Sequence, residues 1–481
     1  MTESRTSSLR RGELLVHLRR DVTIPLHRQV ESEIRRGIRE GRLRSGTRLP
    51  STRALAADLG LSRGVVVEAY QQLVAEGYLA SRPGGRTEVA TTVAAPPAPV
   101  QASSVGRPRI DFRYGRPDVS QFPRAAWLRS LRRVLNGAPH DRLSYLDGHG
   151  APELCQALAD YVNRVRGTAA QPANVVICNG FAQGLTLLTR VLVAHGRRRL
   201  AVEDPSDGNV RSIAVAAGLE VVGIPVGAEG IRIDELERSS PDAVLVTAAH
   251  QFPIGAVLPP RSRAALVAWA TRHDGLVVED DYDAEYRYDR APVGAIQGLA
   301  PDRVVYAGSA SKTLAPGLRL GWLVVPSGLA GSVAAAKLAA DLGSPVLDQL
   351  AFADFLTHGE FDRHLRRMRA VYRRRRDALL EALHEMLPDL LPVGIAAGLH
   401  VLTWLPDDVE EAAVMNAAAR RGVGVYGLSP YRIHHDGPEG LLFGYAGLSE
   451  RKITEGIATL ADVINTVRRS PAGPITAGRA R

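Results

Sequence analysis

Only three of the 481 residues are lysines, Lys312, Lys337 and Lys452, against 57 arginines. Arginine stays protonated and cannot form an imine, whereas a lysine withdrawn from water can lose its proton and attack an aldehyde carbon. Imine chemistry therefore has three possible positions. Lys337 lies in the Ala-rich helical stretch 332–342 and Lys452 follows Ser449 and Glu450, and both read as solvated helix lysines. Lys312 sits in GSASKTLAPGLRLGW, between an apolar run and a glycine-rich turn, and is the candidate nucleophile.

An aldehyde carried on a pyridine ring, as in pyridoxal 5′-phosphate (PLP), makes further demands. It needs an acid at the ring nitrogen, a hydroxyl near the ring oxygen, and donors with a cation for the phosphate. Asp280 ends an apolar run in VVEDDYDAEYRY, and Tyr282 follows two residues later. Gly180, Phe181 and Ala182 in CNGFAQG offer backbone N–H groups at a helix start, while Ser309, Ser311 and Arg319 supply hydroxyls and charge. Each feature alone is commonplace; their combination is specific.

Strand-like runs must position these residues. NVVIC (174–178), RLAVED (199–204), EVVGIPV (220–226), AVLVTAAH (243–250), LVVED (276–280) and RVVYAGS (303–309) alternate with helical or loop segments, which predicts a layered, largely parallel α/β sheet. The candidate polar residues fall just after these runs, where open sheets bind ligands. No G-x-G-x-x-G follows the first run, which disfavours a dinucleotide site.

Residues 1–90 carry 16 arginines and 10 acids, so most of the chain's net charge of +9 lies in its first fifth. A basic segment joined to a nearly neutral one points to a polyanion partner for the former. Pro25 opens a helical stripe of Leu26, Val30, Ile34 and Ile38, ended by Gly41. Ser51 caps a short helix that stops at Gly60, and Ser62 caps a third with Val66, Ala69, Tyr70 and Leu73 inward. This is a helix-turn-helix, and YLASRPGGRTEVA adds a hairpin wing with Arg82 and Arg86 at its tip. Residues 91–109 form a Pro/Ala/Ser-rich linker and residues 468–481 a disordered tail. Cys155 and Cys178 read as buried small hydrophobes, and no metal site is expected. No apolar run is long enough for a membrane helix, and MTESRTSSLRRGE lacks the apolar segment of a secretory signal, so a cytoplasmic protein is expected.

LPSTRALAADLGLSR followed by AYQQLVAEGYL resembles the DNA-binding domain of GntR-type regulators. The resemblance implies that Arg53 and Arg63 meet phosphates and base edges, that Ser62 starts the recognition helix, and that the wing with Gly84 approaches the minor groove. Gly64 and Val65 stand where polar residues are common in that family, so specificity is expected to lean on Arg63, thymine methyl contacts and the wing.

SASKTLAPGLRLG, with HQFPIG and EDDYDAEYRY before it, resembles fold type I aminotransferases, and the whole chain resembles the MocR subfamily, in which a GntR-type head is fused to an aminotransferase-like domain. The implied fold is an α+β multidomain chain: a winged helix-turn-helix over 1–90, and an α/β type I PLP domain over 110–467 with a smaller C-terminal α/β subdomain. The resemblance implies PLP held on Lys312 as an internal aldimine, Asp280 at the pyridine nitrogen, Tyr282 at the ring oxygen, the phosphate near Ser309, Ser311 and Arg319, and His250 and Gln251 beside the ring. It also implies a homodimer on a double-stranded operator with two half-sites, sensing PLP itself or an amine or amino-acid effector. Two departures bear on activity. EDPSDGN places Asp207 where the family carries an aromatic, and LLFGYAGLS places Leu442 at the arginine that clamps a substrate carboxylate. Steady transamination is therefore not expected, Arg432 stays open as a substitute clamp, and an active aminotransferase with an accessory DNA-binding head remains the alternative.

Overall fold

The four-residue recurrence of Val30, Ile34 and Ile38 becomes helix α1 (Leu26–Arg39) in a computed structural model that describes residues 16–81, 86–90, 108–288, 293–434 and 437–469. The chain divides into two compact units, one within Met1–Val105 and the other within Gly106–Arg481. In the first, α1 packs with α2 (Thr52–Leu59) and α3 (Arg63–Ala75) around Leu55, Leu59, Val66, Ala69 and Leu73. Ser51 accepts the Ala54 N–H at the start of α2, as its type and place predict. Gly60, at φ 63°, ends the helix in the left-handed conformation that a side chain would strain. Ser62 occupies the N-cap position of α3 but makes no side-chain capping bond there, contrary to expectation. Strands β1 (Leu79–Ser81) and β2 (Thr87–Val89) pair antiparallel as the wing.

The second unit begins with β3 (Ile110–Asp111), α4 (Arg124–Gly137) and α5 (Pro152–Arg166). An alternating series follows: β4 (Val175–Cys178), α6 (Phe181–Ala194), β5 (Arg199–Asp204), α7 (Gly208–Ala216), β6 (Glu220–Gly227), β7 (Gly230–Ile231), α8 (Ile233–Ser239), β8 (Ala243–Val246), α9 (Pro260–Arg272), β9 (Leu276–Asp280), β10 (Val304–Ser309) and β11 (Gly321–Val324). The sheet order is β4-β11-β10-β9-β8-β5-β6-β7, with β11 antiparallel to both neighbours and the β10-β9-β8-β5-β6 run parallel. AVLVTAAH yields a strand only to Val246, because Thr247 leaves the ladder to bind Glu203. Strand β11, GWLV, is one that apolar patterning around Lys312 does not separate from the glycine-rich turn before it.

Helices α10 (Ser327–Asp341), α11 (Val346–Thr357) and α12 (Glu360–Met386) lead to a smaller antiparallel sheet. Its strands β12 (Pro392–Val393), β13 (His400–Trp404), β15 (Tyr426–Gly427) and β16 (Gly440–Gly444) are accompanied by α13 (Glu411–Arg420), β14 (Val423–Gly424) and α14 (Glu450–Arg469). β3 pairs with β14, so the segment that follows the linker is stitched into the C-terminal subdomain. The last helix runs to Arg469, past the expected boundary at 467, where Arg468 bonds Asp389 at 3.0 Å. The remainder of the expected tail, 470–481, and the linker over 91–107 lie outside the described residues.

Lys337 corrects a sequence expectation. It is 1% exposed rather than solvated, and its ammonium bonds both oxygens of Asp341, 2.6 Å away, one turn along α10. Cys155 and Cys178 are buried, and desolvation pushes each thiol up to about 12, so they act as inert apolar groups.

Candidate cofactor cavity and nucleic-acid face

Strand register assembles the site. Ser309 pairs with Gly321 across β10 and β11, and Gly321 pairs with Cys178 across β11 and β4. Arg319, just ahead of Gly321, is therefore delivered between the end of β10 and the start of α6, where its guanidinium donates to the Asn179 carbonyl at 2.7 Å. Its backbone sits at φ 53°, a strained conformation for a non-glycine residue that recurs at functional positions. A Cβ at Gly180 would lie 2.4 Å from that guanidinium, which is why the position needs glycine. The Gly180 N–H is spent on the Cys178 carbonyl at 2.8 Å, so the expectation that it faces an anion is corrected; Phe181 and Ala182 remain at the helix start.

Lys312, Asp280, Tyr282, Ser309, Ser311, Arg319, Phe181 and Ala182 line one cavity of about 510 Å³. Burial, opposed by Asp280, Asp283 and Asp207, lowers the Lys312 ammonium below its ordinary range, the direction a nucleophile requires. Its Nζ donates to the Gly115 carbonyl at 2.7 Å. Burial, with Asp281 and Asp207, pushes the Asp280 carboxyl well upward, and among the described residues no side chain hydrogen-bonds it. A half-buried carboxyl with no described side-chain partner suits a ring N–H that would bring positive charge. The residues present thus fit a phosphorylated pyridine aldehyde: an amine, an acid, a phenol, and an anion cradle of helix N-terminus, hydroxyls and guanidinium.

The structure moves two expected ligands behind the wall. His250 and Gln251 are buried but do not line the cavity. His250 Nδ1 lies 3.0 Å from Asp283 and 3.1 Å from the Tyr282 hydroxyl. His250 Nδ1 thus sits between the two, and the Tyr282 hydroxyl is also hydrogen-bonded to the Asp283 carboxylate. Burial, with Asp283 and Asp280, keeps that phenol protonated. Gln251 donates to the Pro205 and Phe252 carbonyls and accepts from the Ile254 N–H, bracing the wall. His250, Asp283 and His400 place ligand atoms within 4.8 Å of one another; His400 Nε2 lies 3.1 Å from the Pro253 carbonyl oxygen.

Sequence reasoning missed Glu203, Tyr114, Phe252 and His400 in the lining. Glu203 directly precedes Asp204 at the end of β5, yet only the fold turns it inward. There it accepts from the Thr247 hydroxyl at 2.6 Å and backbone at 3.0 Å, and burial raises it to about 7. Leu442 is fully buried in an apolar cluster with Phe252, Leu402 and Leu428. Arg432 donates to the Pro438 carbonyl at 2.7 Å and does not line the cavity.

In the N-terminal unit, Arg53, Ser62, Arg63, Gly64 and Arg86 are exposed, while Arg82 and Gly84 lie outside the described residues. Arg35, Arg36 and Arg42 are engaged by Glu76, Glu33 and Glu40, whereas among the described residues no acid holds Arg53, Arg63 or Arg86. Exposed guanidiniums without a described acidic partner, one of them at the start of α3, have the charge that an anion requires.

Residues 109–460 match the aminotransferase class I and II family and residues 26–89 the gntR family of bacterial regulatory proteins. The probable rhizopine catabolism regulatory protein MocR of Rhizobium meliloti is 35% identical over 95% of this chain and 97% of its own. The pyridoxine biosynthesis regulator PdxR of Corynebacterium glutamicum is 32% identical over 91% and 95%. Among solved structures, a Pyrococcus horikoshii kynurenine aminotransferase in complex with PMP superposes with a TM-score of 0.69 at 27% identity, covering 76% of this chain and 92% of that one. A multiple substrate aminotransferase from Thermococcus profundus reaches 0.70 at 26%, covering 76% and 93%. With a gntR head on an aminotransferase class I and II fold, and whole-length relatives built the same way, the chain belongs to the MocR subfamily of transcription regulators.

Proposed function

We propose that the large unit binds PLP through Lys312 Nζ and that its occupancy controls operator binding by the basic head. The observation that carries this reading is the convergence of Lys312, Asp280, Tyr282 and Arg319 on one cavity. Asp280 would hold the proton of the ring nitrogen, Tyr282 would donate to the ring oxygen, and Ser309, Ser311, Arg319 and the α6 N-terminus would take the phosphate. When bound, PLP supplies an electrophilic carbon that primary amines can address, which suits it to sensing amines, amino acids or its own supply.

Arg53, Ser62, Arg63, Gly64 and the wing residues Arg82, Gly84 and Arg86 would contact double-stranded DNA, and a homodimer would span two half-sites. Exposed Leu128, Leu135, Leu143 and Tyr145, gathered in one stretch of the large unit, support a surface that a second copy covers. A ligand coupling of about 1–3 kcal/mol shifts operator affinity roughly 5- to 150-fold, enough for regulation without turnover. Among the described residues no helix is long and apolar enough to cross a membrane, in keeping with a cytoplasmic regulator. Buried Leu442 and the placement of Arg432 speak against routine α-amino-acid transamination.

Borohydride reduction followed by peptide mapping is expected to fix PLP on the Lys312 peptide, and footprinting to reveal two half-sites with PLP-dependent affinity. An unlabelled Lys312 peptide in saturating PLP overturns the cofactor assignment.

A further inference from the structure

Among the described residues, five with carboxyl, ammonium or guanidinium side chains line the cavity: Glu203, Asp207, Asp280, Lys312 and Arg319. On the reading above, Lys312, Asp280 and Arg319 are committed to the cofactor. Glu203 is committed to Thr247 and raised toward neutrality by burial. Asp207 is left over. One of its oxygens, Oδ1, accepts the Asn209 backbone and side-chain N–H groups at 2.9 and 3.0 Å and so starts α7, while no described residue bonds the other. After burial itself, Asp207 is among the charges that keep the Tyr114, Tyr431 and Asp280 protons in place, so the carboxylate stands in electrostatic reach of all three.

Part of the wall of the same cavity is aromatic. Tyr114 and Phe252 line the cavity with ring centroids 5.0 Å apart, and Tyr431 braces them at 5.5 and 5.4 Å, edge-on to both. Ring faces beside a carboxylate recognise ammonium groups, through the negative quadrupole of the ring and through direct charge. The features that would receive a carboxylate are missing: Leu442 occupies the expected clamp position inside an apolar cluster, and among the described lining residues the only cations are Lys312 and Arg319.

We infer that Asp207, with the faces of Tyr114 and Phe252, forms a subsite for the distal cation of a linear diamine effector whose other nitrogen is directed to the Lys312 end. This rests on the PLP reading above. An effector with a carboxylate at its distal end would meet Asp207 as a like charge in a partly desolvated cavity, and a simple monoamine would leave the subsite unfilled. Asp207 is thus the determinant of effector charge in this cavity.

The test uses the full-length PLP-loaded protein. Absorbance of the bound cofactor and operator affinity are titrated with butane-diamine, butylamine and the ω-amino acid of equal carbon count. The diamine is expected to act at about ten- to a hundredfold lower concentration than either control, the worth of one charge-assisted contact. Asp207→Asn keeps an acceptor for the start of α7 and is expected to erase most of that preference; Asp207→Arg is expected to transfer it to the ω-amino acid. Borohydride-fixed PLP on Lys312 is measured in every variant. PLP fixed normally with no diamine preference, or a preference unchanged in Asp207→Asn, overturns this inference alone. PLP failing to attach to the wild-type chain overturns the cofactor reading and this inference with it.

Discussion

Arg166 grips Asp281 through two hydrogen bonds of 2.6 and 3.0 Å, with both side chains only 1% exposed, and Tyr306 donates to the same carboxylate at 2.7 Å. Asp281 is the residue after Asp280, and its N–H bonds the Ala307 carbonyl on β10. The pair thus anchors the end of β9 from behind and sets the direction in which Asp280 faces the cavity.

Removing one member leaves an uncompensated charge in the interior. Asp281→Ala or Arg166→Leu is expected to destabilise the large unit by about 3–5 kcal/mol, read by denaturant unfolding. The double variant should recover part of that loss, since the unpaired charge disappears with its partner. An additive double variant would show that the pair does not act as a unit.

Lys312, which lines the cavity, and the buried Lys337 should behave differently. Lys312→Ala is expected to abolish borohydride-fixed PLP while leaving the unfolding midpoint within the range of an ordinary single substitution. Lys337→Ala breaks a buried ion pair with Asp341, which itself binds Gln183 and Asn179 at the start of α6. It should cost stability by about 3 kcal/mol and leave the label on Lys312. Mass spectrometry of the reduced, digested variants separates the two roles.

Glu203 makes stability depend on pH. Burial raises its carboxyl from 4.5 to about 7, so between those values the folded chain keeps a proton that the unfolded chain has released. Stability is accordingly highest below the lower value and declines as pH rises through about 7, by on the order of 3 kcal/mol for this group. Glu279, also raised to about 7, adds a slope of the same sign. Glu203→Gln keeps an acceptor for Thr247 and should flatten the decline; a melting-temperature profile unchanged across that interval would refute the assignment.

On the DNA side, salt dependence discriminates among arginines. Arg53→Ala and Arg63→Ala are each expected to lower the slope of log affinity against log salt by about 0.9 for every phosphate that the arginine neutralises. Arg35, held by Glu76 at 3.1 and 2.6 Å, should leave the slope unchanged when replaced by alanine. Binding isotherms at several salt concentrations decide between these outcomes.

Local chemistry made much of this protein legible in one dimension. The helices of the head follow from four-residue apolar spacing, from Ser51 as a cap and from Gly60 as a left-handed stop, because these depend on neighbours a few residues away. Scarcity of lysine singled out Lys312, and the Asp280–Tyr282 spacing travels with the strand that carries it. Contacts between distant segments were decided only by tertiary structure. Lys337 is buried because Asp341 and the α6 start close over it, Gly180 spends its N–H on the turn from β4, and His250 withdraws behind Tyr282 to meet Asp283. Glu203, near the end of β5, and Asp207, at the start of α7, sit four residues apart, yet burial raises the carboxyl of one to about 7 while the other lines the cavity with one oxygen that no described residue bonds. A side chain's charge and partners depend on what the fold packs against it, and no spacing along the chain encodes that.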